Sequence, residues 1–254
     1  MNMKRALPVI AALVFTFLHL PLVVLMMFSL NESRFTVWEG ISLRWYRELF
    51  ADARMMEATW NSLLIAAVAT IAATVIGTGC AYGLWKRRAP LLSGSLYLSL
   101  VTPEIVTGVS TLAFYQFLFR YMDFRLGMHT VILAHVAFSV AFVVVVVKAR
   151  LKTVDGSLEE AAMDLGATHW GAFWRVTLPA LAPGMAAAAL LAFTISFDDY
   201  VITSLVAGVD TETLPMVIYA MARRGVNPAV NAISALIVAG LGIFILLAER
   251  LQES

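Results

Sequence analysis

Three carboxylates interrupt otherwise apolar stretches of this 254-residue chain. Glu104 lies inside one such stretch, and Asp198 and Asp199 stand side by side in another. A carboxylate near the centre of a bilayer costs about 2.5–3.5 kcal/mol on insertion scales, so an acid in such a position marks a functional site by default. The chemistry available to a carboxylate at that depth is binding a cation. We therefore expect these acids to line a cation pathway.

Aromatic rings near the acids complete the candidate pathway. A positive charge is attracted by a carboxylate and also by the face of an aromatic ring. Neighbouring residues of a helix point about 100° apart, so we expect only one member of the Asp pair to face the pathway. The alternative is that the acids pair with arginines such as Arg120 or Arg223, or cap helix ends. The candidate rings are Tyr115, Phe197, Tyr200 and Tyr219.

A second informative segment, residues 149–182, is not apolar enough to lie in a membrane. Ser157 and Glu160 have the spacing of a capping box at a helix start. Gly166 is placed to end that helix, and a second short helix is predicted from about Thr168 to Leu178. The apolar positions at helical spacing in the first helix are Leu158, Ala161, Ala162 and Leu165. Pro179 and Pro183 bracket the return to the membrane. The prediction is a helix–glycine–helix elbow with Trp170, Phe173 and Trp174 on its second arm.

The composition indicates an integral membrane protein. Hydrophobic residues make up 61% of the chain and charged residues 14%, against about 25% charged in soluble domains. The net charge of +1 offers no footprint for nucleic acid. Its one cysteine, Cys80, excludes an internal disulfide and a cysteine-based zinc site. The sequence contains no P-loop, H-E-x-x-H or G-x-S-x-G motif, so we expect a non-catalytic protein without cofactor or metal.

Six membrane-spanning helices account for the apolar stretches, which predicts an all-α polytopic fold. A span needs about 20 apolar residues, and the fifth is expected to pass through the Asp pair and end near Ala207. All four lysines fall on one side if the N-terminus and C-terminus are both cytosolic. Residues 1–254 are interpreted as one membrane domain, with an uncleaved first helix. The stretches are 6–31, 58–85, 89–119, 126–147, 176–197 and 225–248.

The acids are expected at similar depth. Glu104 and Asp198 each lie about 15 residues beyond the cytosolic start of their span, which is roughly 22 Å along a straight helix. His135, inside the fourth span, is interpreted as a hydrogen-bonded core residue in preference to a proton relay. The equal depth predicts that the third and fifth spans present their acids to one site.

The elbow sequence resembles the EAA loop of ABC-importer permeases. The pattern consists of Glu160-Ala161-Ala162, three residues, Gly166, nine residues and then Val176-Thr177-Leu178-Pro179. Val176 stands in place of the isoleucine of that family. The resemblance implies a MetI-like fold and an elbow that docks into a groove of an ATPase subunit. The residues to which it assigns ATPase coupling are Glu159, Glu160, Ala161, Ala162, Asp164, Gly166, Trp170, Phe173 and Trp174.

A narrower resemblance covers roughly residues 30–235. The stretches TPEIVTG (102–108), FTISFDDYVI (193–202), TLPMVIY (213–219) and GVNPAVNA (225–232) are similar to the second permease subunit of spermidine/putrescine importers, and RWYRELFADARMMEA (44–58) leans toward the putrescine branch. This resemblance implies a multi-pass protein of the bacterial inner membrane. The implied partners are a second homologous permease in a heterodimer, two P-loop ATPase subunits, an external polyamine-binding protein and membrane lipid.

Two alternatives remain open from the sequence. The same machine could import another small solute. An ion-coupled secondary transporter could instead use Asp198 or Asp199 as a proton or sodium site, and it would then work alone under an ion gradient. The EAA-like loop favours the ABC importer.

Overall fold

The computed structural model describes residues 3–34, 37–87, 89–121, 124–223 and 228–253, and these are almost entirely helical. A five-residue π turn, Phe173–Thr177, lies between two of the helices. The helices are α1 (Met3–Ser29), α2 (Arg44–Ala51), α3 (Ala53–Lys86), α4 (Pro90–Val101), α5 (Glu104–Phe119), α6 (Met128–Leu151), α7 (Ser157–Asp164), α8 (His169–Ala172), α9 (Leu178–Asp198), α10 (Val201–Val206), α11 (Leu214–Arg223) and α12 (Pro228–Glu253).

Four helical segments among the described residues are long and apolar enough to cross a bilayer. They are Leu7–Ser29, Ala53–Lys86, Met128–Leu151 and His169–Asp198, and α4 with α5 makes a fifth if the bent pair is one span. Helix α12 has a shorter apolar stretch, Pro228–Gly240, within the predicted sixth span. The all-helical membrane fold is confirmed, whereas the number six and the cytosolic termini stay predictions.

The chain forms two compact units, Met1–Met56 with Val217–Ser254, and Glu57–Met216. In the first unit α12 packs on α1 and α2, and the buried Trp45 donates its indole N–H to the Asn31 carbonyl at 2.7 Å. The interpretation of the chain as one membrane domain stays a prediction.

The core of the second unit lies where α3, α6 and α9 meet. Small residues of α3 and α9 allow these helices to approach the valines of α6 closely, as is common inside membranes. A Cβ added to Gly77 would lie 2.6 Å from a methyl carbon of Val143, so only glycine fits there. The buried members of this core are Ala73, Ala81, Leu84, Val143, Val144, Val147, Leu151, Leu181, Ala188 and Ala192.

The third predicted span is broken at Thr102 and Pro103. Helices α4 and α5 meet there at 112°, and Thr102 is extended (φ −67°, ψ 129°) because a following proline disfavours helical backbone. Glu104 therefore begins α5, where the helix dipole stabilises a negative charge. The straight helix assumed in the depth estimate for Glu104 is wrong.

The fifth span ends earlier than predicted. Helix α9 stops at Asp198, Asp199 is extended (φ −67°, ψ 123°), and α10 begins at Val201. The Asp199 carboxylate accepts hydrogen bonds from the backbone N–H groups of Ile202 at 3.3 Å and Thr203 at 2.7 Å. A carboxylate that satisfies the free donors at a helix start favours a new helix over continuation of the old one. The prediction of one helix through the Asp pair to Ala207 is wrong for this reason.

The second arm of the elbow also differs from the prediction, because it does not end at Leu178. Helix α8 continues through the π turn into α9, and Leu178 donates its N–H to the Phe173 carbonyl five residues back. Pro179 is the second residue of α9, and because proline has no N–H it donates no hydrogen bond to the preceding π turn. Pro183 lies inside α9. The elbow therefore runs without a break into the membrane-spanning helix.

The first arm begins differently from its prediction and ends as predicted. Gly156 is the N-cap, so the capping box of Ser157 and Glu160 is wrong. Asp155 accepts the Ser157 N–H at 2.9 Å, and this hydrogen bond lowers the pKa of Asp155. Gly166 has φ +92° and donates its N–H to the Met163 carbonyl, while Ala167 donates to Ala162. These are the bonds of a Schellman C-cap, which favours glycine at that position.

Candidate functional site

The elbow, defined here as residues 157–177, exposes apolar side chains on both of its arms. Leu158 and Leu165 of the first arm are 52% and 91% exposed, and Trp170 and Trp174 of the second arm are 68% and 51% exposed. Glu160, Ala161 and Asp164 are also exposed, whereas Ala162 is half-buried. Large exposed apolar residues that cluster in this way mark a surface that contacts a protein or the membrane.

Glu159 faces the opposite way and holds the elbow to α3. Its side chain is 2% exposed, and the Lys86 ammonium lies 2.9 Å from Oε1. Tyr82 donates its hydroxyl to the same oxygen at 2.8 Å. Thr177, in the π turn, donates its hydroxyl to Oε2 at 2.8 Å. These four residues, the Glu159 cluster, join the end of α3 to both arms of the elbow.

The environment keeps Glu159 ionised. Burial alone raises the pKa of a carboxyl, but the hydrogen bonds from Lys86, Tyr82 and Thr177 and the lysine charge outweigh it and lower the pKa of Glu159 below its ordinary 4.5. A buried charge with this many donors has its desolvation offset. The cluster therefore contains a carboxylate at neutral pH.

Phe173 reinforces the same attachment. Its ring lies 4.7 Å from the Tyr82 ring of α3 and 5.6 Å from the Trp170 ring, centroid to centroid. The half-buried Phe173 thus packs inward, unlike the exposed Trp170 and Trp174. Aromatic pairs at such distances contribute about 0.5–1.5 kcal/mol beyond their buried area.

Glu104 and Asp199 line one cleft of about 100 Å³ at the breaks between α4 and α5 and between α9 and α10. We call it the acidic cleft. Phe138 and Phe142 of α6 supply aromatic faces to its wall, and threonine and serine hydroxyls supply acceptors. The lining residues are Ser99, Leu100, Thr102, Glu104, Thr107, Phe138, Phe142, Ile195, Asp199 and Ile202. Carboxylates, aromatic faces and an apolar wall are the combination that binds an ammonium on an alkyl chain.

Buried hydrogen bonds orient Asp199. Oδ2 accepts the Thr203 hydroxyl at 2.7 Å and lies 3.4 Å from His135 Nε2. His135, 1% exposed, also bonds Thr203 Oγ1 at 2.9 Å and Ser196 Oγ at 2.7 Å. The interpretation of His135 as a hydrogen-bonded core residue is confirmed. Because His135 bridges α9 and α10, it fixes the break that carries Asp199.

The other predicted pathway residues lie in varied settings. Asp198, at the end of α9, is exposed. Tyr115 is buried in the core and donates its hydroxyl to the Thr130 carbonyl at 3.0 Å. Phe197 stacks on Phe193, and Tyr200 precedes α10 and is half-buried. Tyr219 belongs to the unit that contains residues 217–254, where the Arg223 guanidinium lies over its ring. The cleft aromatics Phe138 and Phe142, in a valine-rich helix, carried no sequence signal of their own.

The sequence does not predict the partners of Glu159. Lys86 is one of the four lysines expected on the cytosolic side, Thr177 is only a position of the EAA-like pattern, and no motif contains Tyr82. Lys86 and Glu159 belong to separate helices, and no periodicity relates them. The sequence signal for a buried ion pair was the position of Glu159 directly before the EAA pattern. A carboxylate on the helix face that packs beside half-buried alanine needs a partner.

Comparisons with known proteins identify the family. Residues 73–253 match the family model described as "Binding-protein-dependent transport system inner membrane component". The putrescine transport system permease protein PotI of Escherichia coli (strain K12) is 44% identical over an alignment 242 residues long, which covers 92% of this chain and 86% of that protein. The chain belongs to this permease family.

More distant relatives agree. The spermidine/putrescine transport system permease protein PotC of Escherichia coli (strain K12) is 35% identical, with 94% of this permease and 90% of that protein covered. The solved structure of a bacterial ABC transporter involved in alginate import superposes with a TM-score of 0.76 at 15% identity, over 99% of this permease and 97% of that chain. A MetNI methionine ABC transporter structure gives 0.63 at 20% identity, over 84% and 96%. The two solved structures establish the fold of the permease.

The permease is thus a non-catalytic, multi-pass component of an ABC importer in the inner membrane. Family membership favours this function over the ion-coupled secondary transporter.

Proposed function

We propose that this permease imports polyamines, putrescine above all, as one half of a heterodimer with a second homologous permease. Two P-loop ATPase subunits on the cytosolic side and an external polyamine-binding protein complete the assembly, and transport proceeds by alternating access. The 44% identity to PotI, a putrescine permease, supports the cargo. The observation on which the proposal rests most is that Glu104 and Asp199 share one cleft.

The acidic cleft suits one end of a polyamine. The Asp199 side chain is 5% exposed, so its charge acts in a medium of low dielectric constant. Glu104 is exposed and accessible to an incoming cation. The Phe138 and Phe142 faces attract an ammonium group, and Leu100 and Ile195 contact methylene groups.

The exposed face of the elbow is the docking surface for the ATPase subunit. Leu158, Leu165, Trp170 and Trp174 together offer an apolar surface with two tryptophans, and tryptophan is enriched among the residues that dominate binding energies at interfaces. Glu160 and Asp164 give this surface a negative rim. Removing the apolar surface from water is the driving force for docking.

The Glu159 cluster carries the movement onward. When the ATPase subunits close on ATP, they push the elbow, and its two arms are bonded through Glu159 to Lys86 and Tyr82 of α3. The second arm is continuous with α9, which bears Asp198 and leads to Asp199. The elbow therefore moves α3 and α9 together, and the cleft at the end of α9 opens or closes in response.

The direct test is reconstitution of the complete transporter in proteoliposomes with radiolabelled putrescine and ATP. We expect ATP-dependent uptake that requires the binding protein and falls at least tenfold in Asp199→Asn. Uptake of putrescine driven by an ion gradient without ATP would contradict the proposal. Transport of a different solute, with putrescine ignored, would retain the importer and overturn the cargo.

A further inference from the structure

A second concave site lies at the end of α3 that holds the elbow. It is a groove of about 540 Å³ between the end of α3, the start of α4 and the end of α6, and we call it the lysine groove. It neighbours the elbow, because a Cβ built on Gly156 would lie 3.6 Å from the Trp85 ring. The residues that line the groove are Leu84, Trp85, Ala89, Pro90, Ser93, Lys148 and Lys152.

Two positive charges, Lys148 and Lys152, line the groove. Lys148 and Lys152 lie one turn apart at the end of α6. In the part of the chain that the structure describes, neither ammonium lies within 4.0 Å of a carboxylate. Lys86 nearby differs, since Glu159 neutralises it. The C-terminal end of a helix favours cations, which helps both lysines to tolerate their proximity.

The rest of the wall is apolar. Leu84 is 7% exposed and belongs to the core, while Ala89 and Pro90 begin the short α4. Trp85 offers an amphipathic ring, the side chain found most often at the boundary between lipid and water. A free anion such as phosphate gains nothing from apolar walls. A phosphate attached to an acyl chain matches both parts of the groove.

We propose that the lysine groove binds one anionic phospholipid, phosphate on Lys148 and Lys152 and acyl chain against Leu84 and Pro90. This rests on the proposed function only for the side of the membrane. If the elbow faces the ATPase subunits, the groove opens to the cytosolic leaflet, where anionic lipids hold a negative surface potential. The bound lipid then lies beside Trp85, whose ring the Lys86 ammonium of the Glu159 cluster approaches to 4.8 Å.

Native mass spectrometry of the full chain in detergent tests the site. The probes are phosphatidylglycerol and phosphatidylcholine with identical acyl chains. We expect phosphatidylglycerol to be retained and Lys148→Gln/Lys152→Gln to retain at least tenfold less, since each basic residue at a membrane surface changes binding about fivefold. Arg44→Gln/Arg47→Gln removes the same charge from α2 and is expected to bind like wild type. Lys148→Arg/Lys152→Arg keeps the charge and is expected to restore binding.

A second variant addresses the groove without changing its charge. Ser93→Phe fills the space beside the lysines and is expected to lower retention of phosphatidylglycerol as well. Equal retention of the two lipids by wild type, or wild-type retention by the glutamine variant, would overturn the proposal. So would displacement of phosphatidylglycerol by inorganic phosphate, because it would show a site for a free anion. None of these outcomes depends on transport, so they are separable from failure of the proposed function.

Discussion

The Lys86 ammonium lies 2.9 Å from the Glu159 carboxylate, and this ion pair joins the membrane-spanning α3 to the first arm of the elbow. Lys86 is partly exposed, with 39% of its side chain accessible, whereas Glu159 is 2% exposed. An ion pair of this kind differs from a surface pair, because its acid cannot turn to water when its partner is removed. The contact therefore constrains how the elbow moves relative to α3.

We expect Glu159→Gln to uncouple ATP hydrolysis from transport. The substitution keeps the size of the side chain and removes a charge whose hydrogen bonds contribute about 1.5–3 kcal/mol each. An elbow less firmly held to α3 moves without moving the helix, so more ATP is hydrolysed per putrescine imported. The measurement is that ratio in proteoliposomes.

Glu48→Gln is the matched control for this uncoupling. It removes the exposed Arg44–Glu48 pair, 2.7 Å long, and exposed pairs contribute at most about 1 kcal/mol. The ratio should stay at the wild-type value in this control. A wild-type ratio in Glu159→Gln as well would mean that the cluster has no part in coupling.

The attachment of the elbow should depend on pH only in acid. Because the pKa of Glu159 in the folded protein is lower than its ordinary 4.5, the cluster stabilises the fold fully above about pH 4.5. That contribution is lost as the pH falls through the lowered pKa. Hydrogen exchange of the α7 amides in detergent should stay constant from pH 8 to about 5, after correction for intrinsic rates, and rise as the pH falls through the lowered pKa of Glu159. In Glu159→Gln the corrected exchange should be raised throughout; a midpoint near neutrality in wild type would contradict this assignment.

Trp170→Ala/Trp174→Ala should strongly weaken binding of the ATPase subunit. Truncation of a tryptophan at the centre of an interface costs at least about 2 kcal/mol, so two together weaken binding more than a hundredfold if they act independently. Trp60→Ala is the control, since Trp60 is 66% exposed on α3. Affinity is measured by pull-down of purified ATPase subunit on the detergent-solubilised permease. Equal affinity in the two variants would show that the elbow tryptophans do not dock.

The three acids should differ in their effect on transport. Asp199→Asn keeps an N-capping side chain for α10 and removes the charge in the cleft, so we expect the transport constant for putrescine to rise about ten- to a hundredfold. Glu104→Gln should have a smaller effect in the same direction, because Glu104 is more exposed. Asp198→Asn, at an exposed position, should stay within about twofold of wild type.

Concentration-dependent uptake at matched expression measures all three variants. A fourth variant, His135→Gln, tests whether His135 orients Asp199. The glutamine amide can still bond Thr203 or Ser196. A raised transport constant for putrescine at an unchanged maximal rate would show that His135 positions Asp199. Wild-type uptake by both cleft variants would mean that the acids are structural.

Composition and local motifs were sufficient for the class of fold and for the elbow. A bilayer leaves few choices to a chain with so many charge-free stretches, because every backbone group in lipid must bond within a helix. Gly166 at the end of α7 was equally predictable, since the left-handed backbone of a Schellman cap is a local property. The EAA-like spacing is also local, and it located the elbow without any tertiary information.

Tertiary contacts decided which way those local elements face. The spacing of Leu158, Ala161 and Leu165 predicts a helix, but in the fold these residues are exposed and Glu159 is buried. A charge becomes the inward side chain only because Lys86, Tyr82 and Thr177 supply donors from elements distant in sequence, and periodicity contains no information on them.

The same reason separates Asp199 from Asp198. Both acids are visible in the sequence, and only the break between α9 and α10 turns one of them into the cleft. That break depends on donors of α10 and on His135 of α6, which meet Asp199 in space and not along the chain. Hydrophobic pattern determines which segments are helical in a membrane, whereas the position of a functional charge depends on the hydrogen-bond donors that the packed helices bring to it.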